Sequence, residues 1–254
     1  MIDALYISAT GLRSQQEQID VISNNVANMQ TPGFKKSRVN FAEMTGGPSH
    51  LAQAGEPQFH GNGTEILSTR TIFSEGELRQ TRVATDLAIE GSGFFELESA
   101  TGEKVYTRAG QFRVDGEGYL VNANGLRLAQ GLQIPPDAID LRVSPQGEIT
   151  ARLGSDVERT ILGAVELAMF PSADALASVG QNAFSPTEQS GAASFGKPGE
   201  AGFGQLHQGF LEMANVDLVD EMTSLVMAQR AYQLNARVLQ AADQVLETIN
   251  NLRR

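Results

Sequence analysis

Three histidines and one glycine-flanked serine are the side chains of this sequence best suited to catalysis or metal binding. His50, His60 and His207 are too widely spaced to form the His-x-x-x-His pair that places two zinc ligands on one helical face. Ser92 stands between two glycines, but the outer glycines of a nucleophile elbow are absent and the serine falls within a strand-like pattern. The sequence therefore favours a turn or bulge at Ser92 over a catalytic serine.

Two other short motifs could bind calcium or carry a glycan. Asp115 and Glu117 precede Gly118, but the remaining oxygen ligands of a calcium loop are missing, which favours a hairpin turn. The glycosylation motif at residues 62–64 is so short that it occurs often by chance. The chain contains no cysteine, which excludes disulfides, thiolate nucleophiles and cysteine metal sites. We therefore expect no enzymatic activity, no catalytic residues, no cofactor and no metal site.

Length and hydropathy place the chain among globular proteins. Its 254 residues, of which 41% are hydrophobic, suffice for one large or two smaller domains with a real core. No run of eighteen apolar residues occurs, and the N-terminus lacks the basic and then apolar stretch of a cleaved signal peptide. We therefore expect neither a membrane-spanning helix nor a cleaved leader.

The charge of the chain is negative and unevenly distributed. The formal net charge of −11 argues against a nucleic-acid partner, because such binding normally requires basic clusters that replace counterions. Residues 1–41 contain four basic and three acidic side chains, and residues 212–254 contain four basic and six acidic ones. Near-neutral ends can pack together without strong repulsion, whereas the acidic centre suits a solvated outer surface.

The first long helix is predicted from an apolar ladder with seven-residue spacing, formed by Leu5, Leu12, Ile19 and Val26. Such a repeat keeps one side of a helix towards a partner only if the helices supercoil around each other, so the ladder predicts a coiled coil. The helix is expected to end at residues 30–33, because proline disfavours helical backbone in the residue before it and Pro-Gly favours a turn.

A second ladder near the C-terminus predicts a longer helix over residues 216–252, and its members are Leu218, Leu225, Tyr232, Leu239 and Leu246. Asn215 is the expected N-cap, because its side chain can accept a hydrogen bond from a free amide of the first turn. A further apolar series beside the ladder includes Val219, Val226, Val238 and Val245. Two apolar surfaces on one helix indicate more than one neighbour. We therefore predict that both ladders form an assembly interface.

Between the two helices the pattern changes to short alternating runs. Ten strands are predicted from residue 65 to residue 170, and one of them covers Leu87–Leu97. Turn motifs rich in Gly, Asn and Asp separate the strands at residues 115–118, 122–125 and 144–147. Residues 172–208 are rich in glycine and indicate a loop-rich connection.

These elements predict an α+β fold with a central all-β domain inserted between two terminal helices. Residues 1–41 and 209–254 are expected to form the inner coiled-coil domain. Residues 42–64 show no period and are expected to be an extended linker, and residues 65–208 form the β-domain. No βαβ rhythm occurs, so a parallel sheet is not expected.

Three ordered motifs resemble the bacterial flagellar rod and hook family. The N-terminal motif covers residues 22–35, the central motif covers residues 87–112, and the C-terminal motif covers residues 209–235. Together they extend over nearly the whole chain. The family signature turn, as we call it, comprises Asn24, Asn25, Asn28, Thr31, Pro32, Gly33 and Phe34.

The resemblance is strongest to the distal rod members of this family and implies a structural role. Such subunits polymerise into a helical tube that transmits torque and encloses the export channel, with helices on the inner wall and β-domains outside. The implied partners are further copies of the chain, adjacent rod and hook proteins, the type III export apparatus and, as additional candidates, the surrounding P- and L-ring proteins. The implied location is the flagellar basal body, spanning the periplasm, after export without a cleaved signal peptide.

Three alternatives remain open at this stage. A proximal rod protein of the same family is one, because residues 42–64 are shorter than the extended segment typical of distal rod proteins. Hook protein is a second, although hook subunits normally insert a further outer domain. A β-domain binding module on a coiled-coil stalk would also explain the acidic centre, but it would not require apolar ladders at both ends.

Overall fold

A computed structural model of the chain describes residues 2–45, 61–99, 102–154, 158–200 and 202–252. The chain forms two compact units, which are described separately below. Unit 1 comprises residues 1–27, 37–71 and 217–254, and unit 2 comprises residues 28–36 and 72–216. Neither long helix, in the part that is described, has a stretch apolar enough to cross a lipid bilayer.

Unit 1 contains two long helices and one hairpin. Helix α1 covers Ile2–Ala27 and helix α2 covers Leu218–Leu252. Strands β1 (Ser37–Thr45) and β2 (Gly61–Thr71) pair in an antiparallel hairpin that contacts α1. The segment 42–64 thus contributes the end of β1 and the start of β2, and its centre at residues 46–60 lies outside the described residues.

The two helices run antiparallel and approach each other closely. Asn25 of α1 lies beside Glu221 of α2, with Nδ2 3.3 Å from Oε2, whereas Gly11 faces Asn235. A side-chain carbon at Gly11 would lie only 2.9 Å from Nδ2 of Asn235. The absence of a side chain at Gly11 therefore permits the observed helix separation.

The N-cap of α2 is a different residue from the one that the sequence predicted. Asp217 is the N-cap, because its Oδ1 accepts hydrogen bonds from the backbone amides of Val219 at 2.8 Å and Asp220 at 3.2 Å. Asn215, the predicted cap, instead accepts a bond from the Lys36 amide within unit 2. The prediction at Asn215 was wrong because the helix begins two residues later, where Asp217 competes better for the free amides.

Unit 2 is built from antiparallel strands and one short 3-10 helix at Ala173–Ala175. Its strands are β3 (Leu78–Gln80), β4 (Leu87–Glu90), β5 (Phe94–Glu98), β6 (Lys104–Thr107), β7 (Phe112–Val114), β8 (Leu120–Asn122), β9 (Arg127–Leu128), β10 (Ala138–Val143), β11 (Glu148–Leu153), β12 (Arg159–Ala164), β13 (Leu167–Met169), β14 (Ala177–Gly180), β15 (Ala183–Ser185), β16 (Ser194–Gly196), β17 (Gln205–Gln208) and β18 (Phe210–Glu212).

The largest sheet of unit 2 has the order β14-β15-β6-β5-β9-β8-β7, with β13 pairing to β5 and β16. A separate three-stranded sheet has the order β10-β11-β12, and the two-stranded ladders are β17-β4 and β18-β3. Helix, β-rich centre and helix thus follow one another along the chain, and the predicted α+β class with a central β-domain is confirmed.

Two stretches of unit 2 differ from the sequence prediction. The expected single strand Leu87–Leu97 is broken into β4 and β5 by a turn at residues 91–93, where Gly91 and Gly93 have φ values of 109° and 139°. Left-handed backbone at both glycines interrupts the ladder. The expected loop at residues 172–208 contains four strands. Three of them, β15, β16 and β17, pair with the earlier strands β6, β13 and β4, and β14 pairs with β15, so tertiary pairing orders short segments that have little strand pattern of their own.

Two apolar clusters form the core of unit 2. The larger one includes Leu87, Phe95, Leu97, Phe112, Ile149, Leu167 and Leu206. The smaller one contains Phe94, Tyr106, Phe170, Leu176 and Phe184, with Phe73 packed against it. Edge-to-face contacts connect these rings, such as Phe73 with Phe184 at 4.8 Å between centroids. Together the clusters hold the strands of unit 2 in place.

Candidate functional site

The predicted ladder residues lie at intermediate depth rather than in the centre of a helix contact. On α1, Leu5, Leu12, Ile19 and Val26 are all half-buried. On α2, Leu225 and Leu239 are half-buried, whereas Leu218, Tyr232 and Leu246 are exposed. Each ladder therefore keeps apolar surface available for further neighbours.

The contact between α1 and α2 is centred on small and polar residues instead. Glu221, Ala228 and Asn235 follow each other at seven-residue spacing on α2, and Ala228 is only 2% exposed. Opposite them, Ser8, Gly11, Ile22 and Asn25 lie on the inner side of α1. Sequence reasoning missed this column because it searched for large apolar residues. The available signal was the seven-residue repeat of small or hydrogen-bonding side chains.

Among the side chains of α2 whose exposure is described, ten large apolar ones are exposed on either side of this contact column. Helical spacing places them in two groups. The first flank, as we name it, contains Leu218, Val219, Met222, Val226, Tyr232 and Leu246, and the second flank contains Met227, Leu234, Val238 and Val245. The polar residues Thr223, Arg230, Arg237 and Gln244 separate the two flanks on the side away from α1.

Asn24 and Asn25 of the signature turn belong to unit 1. Asn24 is exposed, whereas Asn25 is 2% exposed and its amide group matches both backbone groups of Ser37. The Ser37 amide donates to Oδ1 at 3.0 Å, and Nδ2 donates to the Ser37 carbonyl at 2.9 Å. Asn25 thus joins the end of α1 to the start of β1, as a neighbouring strand would.

The remaining turn residues belong to unit 2. The Thr31 amide donates to the Asn28 carbonyl at 2.9 Å, and the Phe34 amide donates to the Thr31 carbonyl at 3.3 Å. Asn182 donates to the Pro32 carbonyl at 3.3 Å. These bonds close a compact turn and hold it against a loop between β14 and β15.

Gly33 lies at the closest approach of the signature turn to the rest of unit 2. Its amide donates to the Glu212 carbonyl at 2.8 Å, and its φ is 69°. A side-chain carbon at this position would lie 2.4 Å from the backbone nitrogen of Ala109. Both the left-handed backbone and the lack of space therefore require glycine.

Alanine at Gly33 should lower the free energy of unfolding of unit 2 by about 2–4 kcal/mol, because backbone strain and steric overlap add together. Thermal or denaturant unfolding followed through the β-domain measures the loss. Gly131→Ala is the matched control, since Gly131 has a φ of 60° but nothing within 4 Å of the added carbon. An equal loss of unfolding free energy in both variants would show that the close approach of Gly33 to Ala109 does not contribute to the effect.

A buried charge cluster follows directly after the turn. Lys35, Arg108 and Glu212 have side chains that are at most 4% exposed. Nζ of Lys35 lies 2.5 Å from Oε1 of Glu212, and Nη1 of Arg108 lies 3.4 Å from Oε2. Lys35 also donates to the Ser74 carbonyl at 2.7 Å, and the Gly76 amide donates to Glu212 at 2.9 Å. One carboxylate thus joins four distant parts of the chain.

Burial dominates the electrostatics of this cluster. Desolvation lowers the pKa of Lys35 below its usual value, although attraction to Glu212 opposes the shift. Burial likewise lowers the pKa of Arg108, and Glu212 again opposes it. For each cation, the effect of burial on the pKa thus exceeds the opposing effect of Glu212, and loss of that carboxylate would leave both buried cations without an anion.

The described residues that were considered above for catalysis or metal binding lie in turns or form hydrogen bonds within unit 2. Ser92 lies in the turn between β4 and β5, as predicted, and its carbonyl accepts a bond from the Gly204 amide at 2.7 Å. Asp115 closes the β7-β8 hairpin by accepting bonds from the amides of Glu117 and Tyr119, which confirms the predicted turn. His207 is hydrogen-bonded to Glu90 at 2.6 Å. His50 and His60 lie outside the described residues.

Three family models match three separate regions of the chain. Residues 5–35 match the flagella basal body rod protein model, which includes the signature turn. Residues 88–151 match the D1 domain of flagellar hook protein FlgE/F/G, and residues 207–252 match the C-terminal region of flagellar basal body rod FlgEFG proteins. The matched regions include both helices and the residues of the charge cluster.

Curated relatives agree over the full length. The chain is 38% identical to the flagellar basal-body rod protein FlgG of Agrobacterium fabrum, over 97% of this chain and 98% of that protein. It is 35% identical to FlgG of Borreliella burgdorferi and 36% identical to FlgG of Bacillus subtilis, in both cases over 100% of each chain. These similarities show that the chain belongs to the flagellar basal-body rod protein family, whose members are structural proteins and not enzymes.

Proposed function

We propose that this chain is a distal rod subunit that polymerises into a helical tube through its terminal helices. Relatives named FlgG cover the chain from end to end, which favours the distal over the proximal rod. In this proposal α1 and α2 pack in coiled-coil fashion with helices of neighbouring copies. The nine ladder residues lie within those contacts.

The two exposed flanks of α2 are the observation that carries this proposal. Ten exposed large apolar side chains on a single helix are unfavourable in water, since burying the exposed part of each would contribute about 0.5–2 kcal/mol. One partner helix could cover only one flank. A helix with α1 on one side and a new neighbour on each flank has the arrangement expected inside a multi-chain bundle.

The same proposal includes partners and location. A tube inside the flagellar basal body meets adjacent rod and hook proteins at its two ends, and the P- and L-ring proteins are candidates around it. In this proposal the assembled rod spans the periplasm, and each subunit reaches it through the type III export apparatus. The family signatures of rod and hook proteins at both ends of the chain support these assignments.

Electron microscopy of the purified chain across a concentration series tests polymerisation. The intact chain should form straight tubes above a critical concentration, whereas a chain that ends at residue 217 should not, because it lacks both flanks of α2. Tubes from the shortened chain would contradict the role of α2. Monomers from the intact chain at every concentration, even with fragments of preformed rod as seeds, would contradict self-assembly altogether.

A further inference from the structure

One side of the three-stranded sheet β10-β11-β12 combines basic and apolar side chains. Strand register places Ile139, Arg152 and Arg159 side by side in one row, and Arg142, Thr150 and Ile161 in the next. The opposite side carries Ile149 and Ala151, which are fully buried in unit 2. We name the outward surface formed by Ile139, Arg142, Arg152, Arg159 and Ile161 the arginine face.

The positive charge of this face is only partly compensated. Asp140 contacts all three arginines: its Oδ1 lies 3.7 Å from Nε of Arg142, its Oδ2 lies 3.5 Å from Nη2 of Arg152, and Arg159 pairs with the same oxygen. Asp140 is the single carboxylate paired with these arginines in the part of the chain that the structure describes. Among the described residues, three cations therefore pair with one anion, in a chain whose net charge is −11.

Two features of the arginine face are unfavourable when the sheet has no partner, namely like-charge repulsion and exposed apolar side chains. Arg152 lies directly opposite Arg159 on the neighbouring strand, and like charges in this position repel each other. Ile139 and Ile161 are 55% and 65% exposed beside them. A partner surface with carboxylates and some apolar area would relieve both the repulsion and the exposure.

We propose that the arginine face docks onto an acidic surface of unit 2 in a second copy of this chain. The inference rests on the proposed polymerisation. The acidic central region of each copy supplies the complementary charge, because it holds most of the net negative charge of the chain. A contact between two different surfaces of identical subunits is head-to-tail, and it generates an open helical assembly when the rotation between subunits does not close into a ring.

Charge reversal at Arg142 tests the docking. Arg142 is the most exposed of the three arginines, so Arg142→Glu should leave the monomer folded. We expect its critical concentration for tube formation to rise at least about tenfold, because repulsion replaces attraction at every subunit contact. Arg113→Glu is the matched control, since Arg113 is also an exposed strand arginine of unit 2, and its critical concentration should stay within about twofold of the intact chain.

Two further measurements make the result specific. Raising the salt concentration from about 0.05 M to about 0.5 M should weaken assembly of the intact chain more than that of Arg142→Gln, which removes the charge with little change in size. Unchanged amide exchange in β10–β12 would show that the variants remain folded.

Equal assembly of Arg142→Glu, Arg113→Glu and the intact chain would overturn the docking and leave the proposed polymerisation intact. Failure of the intact chain to form tubes would remove the polymerisation and this inference with it.

Discussion

Aspartate at Val226 or Leu234 should abolish tube formation while the monomer keeps its fold. Val226 lies on the first flank and Leu234 on the second, and they are 47% and 61% exposed in the free chain. Neither change disturbs the monomer core, but each would place an unpaired charge among apolar side chains once neighbours cover the flank. We expect the critical concentration, measured by sedimentation, to rise more than about a hundredfold in either variant.

Gln244→Asp is the control for this pair of variants. Gln244 is exposed on the polar side of α2 between the two flanks, so the same added charge should change the critical concentration by less than about threefold. Normal assembly of the Leu234 variant would remove the second flank from the interface, and normal assembly of both variants would contradict the proposal. The ladder positions Leu225 and Leu239 are less suitable for this test, because they are half-buried and their substitution also affects the monomer.

Glutamine at Glu212 should lower the free energy of unfolding of unit 2 by about 3–5 kcal/mol, because it leaves two buried cations without their anion. Lys35→Met should have a smaller effect. That variant still leaves Arg108 paired with Glu212, although the bond from Lys35 to the Ser74 carbonyl is lost. Denaturant unfolding of the three proteins measures both differences.

Glu188→Gln is the appropriate control for the loss of a carboxylate, because Glu188 is exposed in the same unit. We expect its stability to stay within about 0.5 kcal/mol of the intact chain. A loss at Glu212 of less than about 1 kcal/mol, or a larger loss at Lys35 than at Glu212, would contradict the view that one carboxylate holds both cations.

The charge cluster links the family signature to the architecture of unit 2. The signature turn directly precedes Lys35 in sequence, yet the residues that hydrogen-bond to the turn from elsewhere in unit 2 are Asn182 and Glu212. Unit 2 is therefore complete only when segments from both ends of the chain have met. Lys35 and Glu212 lie within the two regions, residues 5–35 and 207–252, that match the rod family models.

Local features of the structure could be predicted from the sequence alone. Both helices were predicted from seven-residue apolar spacing, and their ends agree with α1 and α2 to within a few residues. The turns at residues 115–118, 122–125 and 144–147 each join the predicted strand pair. Hydrophobic periodicity and turn-forming residues act over only a few positions, so they can be recognised in the sequence without knowledge of the tertiary structure.

Only the tertiary structure decided which residues meet across the chain. It placed Glu221, Ala228 and Asn235 at the helix contact instead of the large ladder residues, where Ala228 is buried and Glu221 accepts a hydrogen bond from Asn25. It also brought Lys35 to Glu212 and paired β15, β16 and β17 with the earlier strands β6, β13 and β4. The ladders predict apolar helix surfaces that need partners. Which residues bury them within one chain depends on how the whole backbone folds, and the periodicity of a single helix or strand does not predict that.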